Sequence, residues 1–554
     1  MSALKGEEWA YKPQQAYHAA PETYEIAYAR AKSLHFASGL TIDDIVNLTP
    51  KFWDFHRNLN ITRDISALMV AQIHLNLCVG TIAPLAALRP DLMPLLDDLM
   101  AFRICASFLL TEFGHGLDVT NMETVATLLP DGSYNLHTPH PTGAKAMPPT
   151  APLSSTPRIA IVVARLKVAD EDRGLKLFLV PIASTKGMEP GVTAWMLPVR
   201  PGTTPLDHCL TSFHHVRLPP SALLGSTNRA VDPGLELQQQ LWRVSVGAIA
   251  LSLGNIACLK VAAYVAGTYS MRRLVEQAGR GRVPILSIST QYRPVLRALV
   301  AGEVLDAYAN WVTPLFSNPE LDILVRRGLA IVFKATTTHL FKIMPELAQR
   351  CGWRGFYPYA QLADLYLSYS ANAVAEGDVH VLSLRLAYEL LLKRYALPSA
   401  ITPDSPLAQH EAGLLSDLEA LFALTHSSAN PESTFSTHGL PKCRALIVSM
   451  GQRMALEACQ AHPSTVSPDV LYAFERISIA EDPAWYMENM SFSRHDIYDK
   501  ETDAFEKLLP QMRPLLEKTG AKDFVTSPLV SENEWEETIR LFPKFSSEEP
   551  ISKI

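Results

Sequence analysis

A mainly α-helical protein built around a central β-barrel is the fold these 554 residues predict. Three changes of texture carry the prediction. Apolar residues recur at helix spacing up to about residue 110, which argues for packed helices. From there to about 230 the apolar runs shorten, become β-branched and are separated by Pro, Gly and Asp, which is the pattern of strands and turns. Long apolar runs at helix spacing then resume and continue to about 545. The chain divides accordingly into an N-terminal helical domain (1–109), a β-barrel domain (110–232), a helical bundle (233–395) and a C-terminal helical domain with a tail (396–554). A chain this long exceeds one compact core, so several domains are expected.

Taken in order, Asp64–Leu77 and Asp91–Leu110 read as helices, with Pro84 and Pro90 at the break between them. Arg158–Leu166, Leu175–Ile182 and Cys209–Val216 read as barrel strands. No G-x-G-x-x-G opens a helix, so a dinucleotide-binding βαβ unit is excluded. Val244–Gly267 is long and apolar enough for a membrane span. Asn255 and Lys260 sit inside it, however, and polar or charged groups in mid-bilayer are costly. A buried bundle helix is the better reading, and no span is expected. Pro294 falls where a first-turn proline is tolerated, and Val295–Trp311 and Leu324–Leu347 continue the helices. After a break at Gly352–Gly355, Val379, Leu382, Leu386 and Leu390 form one apolar stripe. Four such helices suggest a bundle. Ala396–Pro406 reads as a linker, and a polar loop, His426–His438, interrupts the helices beyond it.

Composition narrows the function. Net charge is −7 and the pI about 6.2, so nothing asks for nucleic acid or an anionic membrane. The seven cysteines are scattered and never form C-x-x-C, which argues against disulfides and zinc knuckles and for a reducing compartment. Charges occupy the N-terminus where a signal peptide needs an apolar core. His115, His208, His214 and His215 share no ligand spacing, so no metal site is expected.

Two stretches stand apart. Leu110–Thr127 contains Thr111-Glu112-Phe113-Gly114-His115-Gly116, a short polar loop. Its two glycines let backbone approach a ligand without a Cβ in the way. The side chain of Glu112 reads as a loop carboxylate that need touch nothing. Far along the chain, Val374–Arg385 places Glu376-Gly377-Asp378 at a helix start. Alone, Glu376 reads as an acid favoured by the helix dipole or as a buried base.

In this order, the two motifs resemble those of the acyl-CoA oxidase branch of the acyl-CoA dehydrogenase superfamily. The resemblance implies an acyl-CoA dehydrogenase-like fold with an extra C-terminal helical domain, and FAD as cofactor. It implies that Thr111, Gly114 and Gly116 line the flavin. The segment through Pro149 and Thr150 would lie against it too, with Pro149 where the family has a glycine. Arg272 and Arg273 match the family's pyrophosphate arginines, and Gln291 a glutamine of the next helix. Glu376 matches the α-proton base. The implied reaction is α,β-desaturation of an acyl-CoA or related acyl thioester, with O2 the expected acceptor. A weakly acidic α-proton requires a positioned base in a dry site. A homodimer is expected, with Arg272 or Arg273 completing the partner's pocket. Trp353 and Arg354 depart from the family's loop, which reaches the neighbouring subunit. An unusual acyl carrier, or a non-catalytic scaffold of the same fold, are the alternatives. The C-terminal Ser552-Lys553-Ile554 is similar to a peroxisomal address, the other expectation being the cytoplasm.

Overall fold

The computed structural model describes residues 19–545, apart from 154, 201, 426–430 and 463. The Ser552-Lys553-Ile554 end and part of the expected His426–His438 loop therefore lie outside the described residues. Pro431–His438, read as loop, is a helix.

The N-terminal region is organised on a single rod, Ile65–Ala86. Asp64 starts it: its side chain accepts from the Ala67 N–H at 3.1 Å and pairs with Arg30 at 2.7 Å. The middle of the rod, Gln72–Val79, is π-helix. Such widened turns recur at functional sites. Pro84 lies within the rod and does not end it.

The strands are β1 (Cys105–Leu109), β2 (Val125–Leu128), β3 (Tyr134–His137), β4 (Lys145–Pro149), β5 (Arg158–Val168), β6 (Glu171–Ser184), β7 (Gly187–Met188), β8 (Val192–Met196), β9 (His208–Phe213) and β10 (Val216–Leu218). One sheet runs β10-β3-β2-β5-β6-β7 with β1 parallel to β5, and a second runs β4-β9-β8. Both sheets feed one apolar core that includes Leu136, Val162, Phe178, Val192 and Phe213. Strand β1 corrects the helix expected through Leu110. All five of its residues are buried, and an apolar run without alternation carries no period to separate strand from helix.

In the bundle, Trp242–Arg272 is the central helix, and 94 % of its most apolar window is buried. Its polar interruptions are satisfied inside the protein. Asn255 Oδ1 accepts from Asn372 at 2.9 Å, and Lys260 pairs with Asp306 at 2.5 Å. Around it pack Ser289–Ser317 and Ile323–Leu340, with Val379–Leu391 against the latter. Pro294 sits inside the Ser289–Ser317 helix, beyond its first turn. A hairpin that the sequence reading missed, Leu274–Gln277 with Gly281–Pro284, follows the central helix. Buried Arg453 ties the C-terminal helices to the linker, reaching Glu411, Glu457 and the Pro398 carbonyl.

Candidate active site

Glu376 does not cap a helix. Asp378 holds that place, accepting from the N–H groups of His380 and Val381 ahead of Val379–Leu391. Two residues earlier the chain makes a left-handed turn, with φ of +52° at Glu376 and +97° at Gly377. Glycine tolerates this, whereas glutamate pays about 1–3 kcal/mol for it. Lys334, 1 % exposed on Ile323–Leu340, holds the turn. Its ammonium donates to the carbonyls of Ala375 and Gly377, both at 2.5 Å, and more weakly to that of Glu376 at 3.5 Å. Burial draws Lys334 down to about 8, against the pull of Glu376 and Asp378.

The turn aims the Glu376 carboxylate inward. Oε1 accepts from Gln72 Nε2 at 3.1 Å, while Oε2 is enclosed with no partner. Room for it exists because residue 247 is glycine: a Cβ there would stand 1.1 Å from Oε2. Glu376 as a whole residue is half-buried, but the carboxylate is not where the exposure lies. Burial pushes its pKa up to about 7, opposed by Gln72, Lys334 and Arg243. A carboxylate poised there exchanges a proton readily near neutral pH.

The π-helical rod joins this turn to the other motif. Gln72, at one end of the π segment, touches Glu376. Two residues on, His74 Nδ1 accepts from the Ala106 N–H at 3.0 Å, and Nε2 faces the Leu99 carbonyl at 2.9 Å. Ala106 lies in β1, which runs directly into the Leu110–Gly116 loop. Two motifs distant in sequence are thus registered on one element.

In that loop Glu112 is an anchor, which corrects the expectation that it touches nothing. It is 2 % exposed, accepts from the N–H groups of Glu123 (2.7 Å) and Thr124 (2.9 Å), and pairs with fully buried Lys145 at 3.0 Å. Burial lowers Lys145 to about 8 even with this partner. Glu112→Gln is therefore expected to destabilise the fold by about 3–5 kcal/mol, since it strands a buried ammonium. Adding Lys145→Met should recover much of the loss, and thermal melts of the three variants check this.

Gly114 is needed because a Cβ would stand 2.7 Å from Thr142 Cβ, whereas Gly116 faces open space. His115 pairs with Glu123 at 2.6 Å. Thr111 is half-buried; its carbonyl accepts from the Ala146 N–H, and no hydrogen bond among the described residues uses its hydroxyl. Pro149 and Thr150 are turned inward instead. The Pro149 carbonyl accepts from Ser107 and Arg158, and the Thr150 hydroxyl meets that of Thr211 at 2.7 Å. Gln291 is also committed, donating to Ser270 Oγ and the Arg350 carbonyl. Arg272 pairs with Glu532 and donates to the Leu529 carbonyl, while Arg273 is exposed and unpaired among the described residues. Trp353 is 61 % exposed and meets Tyr357 and Trp535 edge-on.

His214 and His215 meet His137, a residue that spacing did not single out. Their nitrogens lie within 4.8 Å of one another. The rings of His137 and His215 stack nearly parallel at 4.1 Å, so their in-plane lone pairs do not converge on one point.

No family model matches the chain. Among curated proteins it is 27 % identical over 334 residues to peroxisomal acyl-coenzyme A oxidase 2 of Rattus norvegicus, covering 56 % of this chain and 48 % of the relative. It is 26 % identical over 326 residues to the acyl-coenzyme A oxidase of Saccharomyces cerevisiae, covering 52 % and 43 %. The matches thus span about half the length of these relatives. Among solved structures, acyl-CoA oxidase 1 of Yarrowia lipolytica superposes with a TM-score of 0.82 at 18 % identity, over 96 % of this chain and 88 % of that one. In sequence the chain is similar to acyl-CoA oxidases over about half its length, and it has their fold. Acyl-CoA oxidase-1 of Caenorhabditis elegans, solved with FAD and ATP, has the same fold with a TM-score of 0.72 at 17 % identity, covering 95 % of each chain. Within this fold, Glu376, the π-helical rod and the Leu110–Gly116 loop form the candidate active site.

Proposed function

We propose that the chain is an FAD-dependent acyl-CoA oxidase that desaturates the α,β bond of an acyl thioester, with Glu376 as the α-proton base. The observation that carries this is the enclosed carboxylate: one oxygen held by Gln72, the other unpartnered, with a pKa of about 7. Burial without full pairing makes a carboxylate a stronger base. Lys334 fixes the turn that aims it, and Gly247 leaves the space it enters.

The residues fit FAD in part. The free Thr111 hydroxyl and the open backbone at Gly116 suit the flavin ring, and unpaired Arg273 suits the pyrophosphate. Arg272 is available too, because its partner Glu532 is 70 % exposed and surface pairs are weak. Pro149, Thr150 and Gln291 support the frame around the site. When bound, FAD supplies the acceptor for the β-hydride. The exposed aromatic surface around Trp353 and Tyr357 suits a homodimer contact. A peroxisomal address agrees with the naming of the rat relative, and the burial of the two most apolar helices favours a protein without a membrane span.

Anaerobic mixing with a panel of acyl-CoAs and acyl-pantetheines is the direct test. At least one thioester is expected to bleach the flavin, and admitted oxygen should restore the colour with release of H2O2. A flavin that no thioester bleaches overturns the activity. One that stays reduced for hours in air overturns the oxidase assignment alone.

A further inference from the structure

His56, Gln72 and the Glu376 carboxyl lie in a buried row whose hydrogen atoms do not add up in one arrangement. His56 and Gln72 are each 1 % exposed. His56 Nδ1 is 2.9 Å from the Phe52 carbonyl, and Nε2 is 2.5 Å from Gln72 Oε1. Gln72 Nε2 is in turn 3.1 Å from Glu376 Oε1. Burial, with Arg243 nearby, lowers His56 to about 4, so at neutral pH the ring carries one N–H. Both oxygens it faces can only accept. One contact must then set lone pair against lone pair.

The oxygen and nitrogen of an amide are nearly the same size, so Gln72 fits either way round. With Glu376 ionised, the Gln72 NH2 donates to the carboxylate and Oε1 accepts from His56 Nε2–H. The bare Nδ1 is then left against the Phe52 carbonyl. With Glu376 protonated, its O–H donates to Gln72 Oε1 and the NH2 donates to His56 Nε2. Nδ1–H is then free to donate to Phe52, and every contact is satisfied.

We propose that Gln72 and His56 are positioning residues of a two-state switch: the Gln72 amide turns over, and His56 changes tautomer, each time Glu376 gains or loses a proton. The switch rests on Glu376 being the group that exchanges the proton, as in the proposed function, and not on the proton's source. Arg243 from the central helix and Lys334 from Ile323–Leu340 face the same carboxyl, with Asp378 nearby. Both cations favour the ionised arrangement, and the row opposes them. Once the acid has taken a proton, the turned amide offers it an acceptor. His74, on the same rod, is a built-in reference. Its nitrogens face one donor and one acceptor, so a single tautomer, Nε2–H, satisfies it.

The test is side-chain 15N NMR of the full-length, cofactor-bound protein with ring-labelled histidine. His56 signals are those lost in His56→Phe, or those shifted in Gln72→Met if the first variant does not fold. His56 is expected to pass from Nδ1–H to Nε2–H as pH rises through the Glu376 titration, while His74 stays Nε2–H. In Glu376→Gln the His56 tautomer should not change with pH. A His56 that keeps one tautomer, or becomes an imidazolium, across the wild-type titration overturns the switch. If His56 stays fixed and Glu376→Gln is inactive, the switch fails and the base stands. If His56 switches while Glu376→Gln keeps its rate, the base assignment fails and the switch stands.

Discussion

Glu376→Gln is expected to lower the rate of flavin reduction by substrate by a factor of roughly 10²–10⁴, the usual range for a positioned base. FAD content and substrate affinity should change little, because the amide is nearly isosteric and the lost interaction belongs to the transition state. Stability should move the other way. Glu376 has a folded pKa near 7 against an unfolded value of 4.5, so ionisation disfavours the folded state. That penalty is absent below the unfolded value, grows as pH rises toward 7 and is complete above it. The glutamine variant should then be the more stable protein above pH 7, by on the order of 3 kcal/mol, with no advantage in acid. Stopped-flow bleaching and melts at several pH values check both halves. Reduction at the wild-type rate would place the base elsewhere.

Gly247→Ala is expected to be nearly as damaging by another route. The added Cβ would lie 1.1 Å from Oε2 and 2.2 Å from Cδ of Glu376, so the carboxylate must leave its slot. Lys334 holds the backbone of the turn, which leaves the side chain to move. The helix itself should gain, since alanine is favoured over glycine in a helix interior by about 1 kcal/mol. A folded protein is therefore expected, with activity reduced by a factor on the order of 10² or more. A carboxylate driven toward water loses the desolvation that raised its pKa, so the rising limb of any remaining activity should move to lower pH. Wild-type rate and an unmoved limb would mean that the slot is wider than the structure shows.

What the sequence disclosed was largely what periodicity and short motifs can carry. Strand texture located β5, β6 and β9, and the apolar runs located the central helix and its neighbours. The β1 segment misled because a fully buried run has no alternation. The site itself was legible only in its two motifs. Gln72, His56, Lys334 and Gly247 act through contacts across the fold, and none has a local signature. Lys334 left one clue, a lone cation in the middle of an apolar run. Glu112 was undervalued because its worth lies in Lys145, thirty-three residues away. Pro149 and Thr150 are turned into the protein, and which way a strand residue faces depends on a register that spacing alone does not reveal.

Gln72 and Glu376 are 304 residues apart in the chain. At ~5–20 residues per second on the ribosome, the rod is finished ~15–60 s before the carboxylate it will hold exists. For much of that interval Ile65–Ala86, as apolar as a membrane-spanning helix, lacks the central helix, and for all of it the Glu376 turn, that later pack against it. The same rod that brings the two motifs together is thus an apolar surface that waits uncovered in the nascent chain. The sequence distance between Gln72 and Glu376 sets how long the rod waits for its turn.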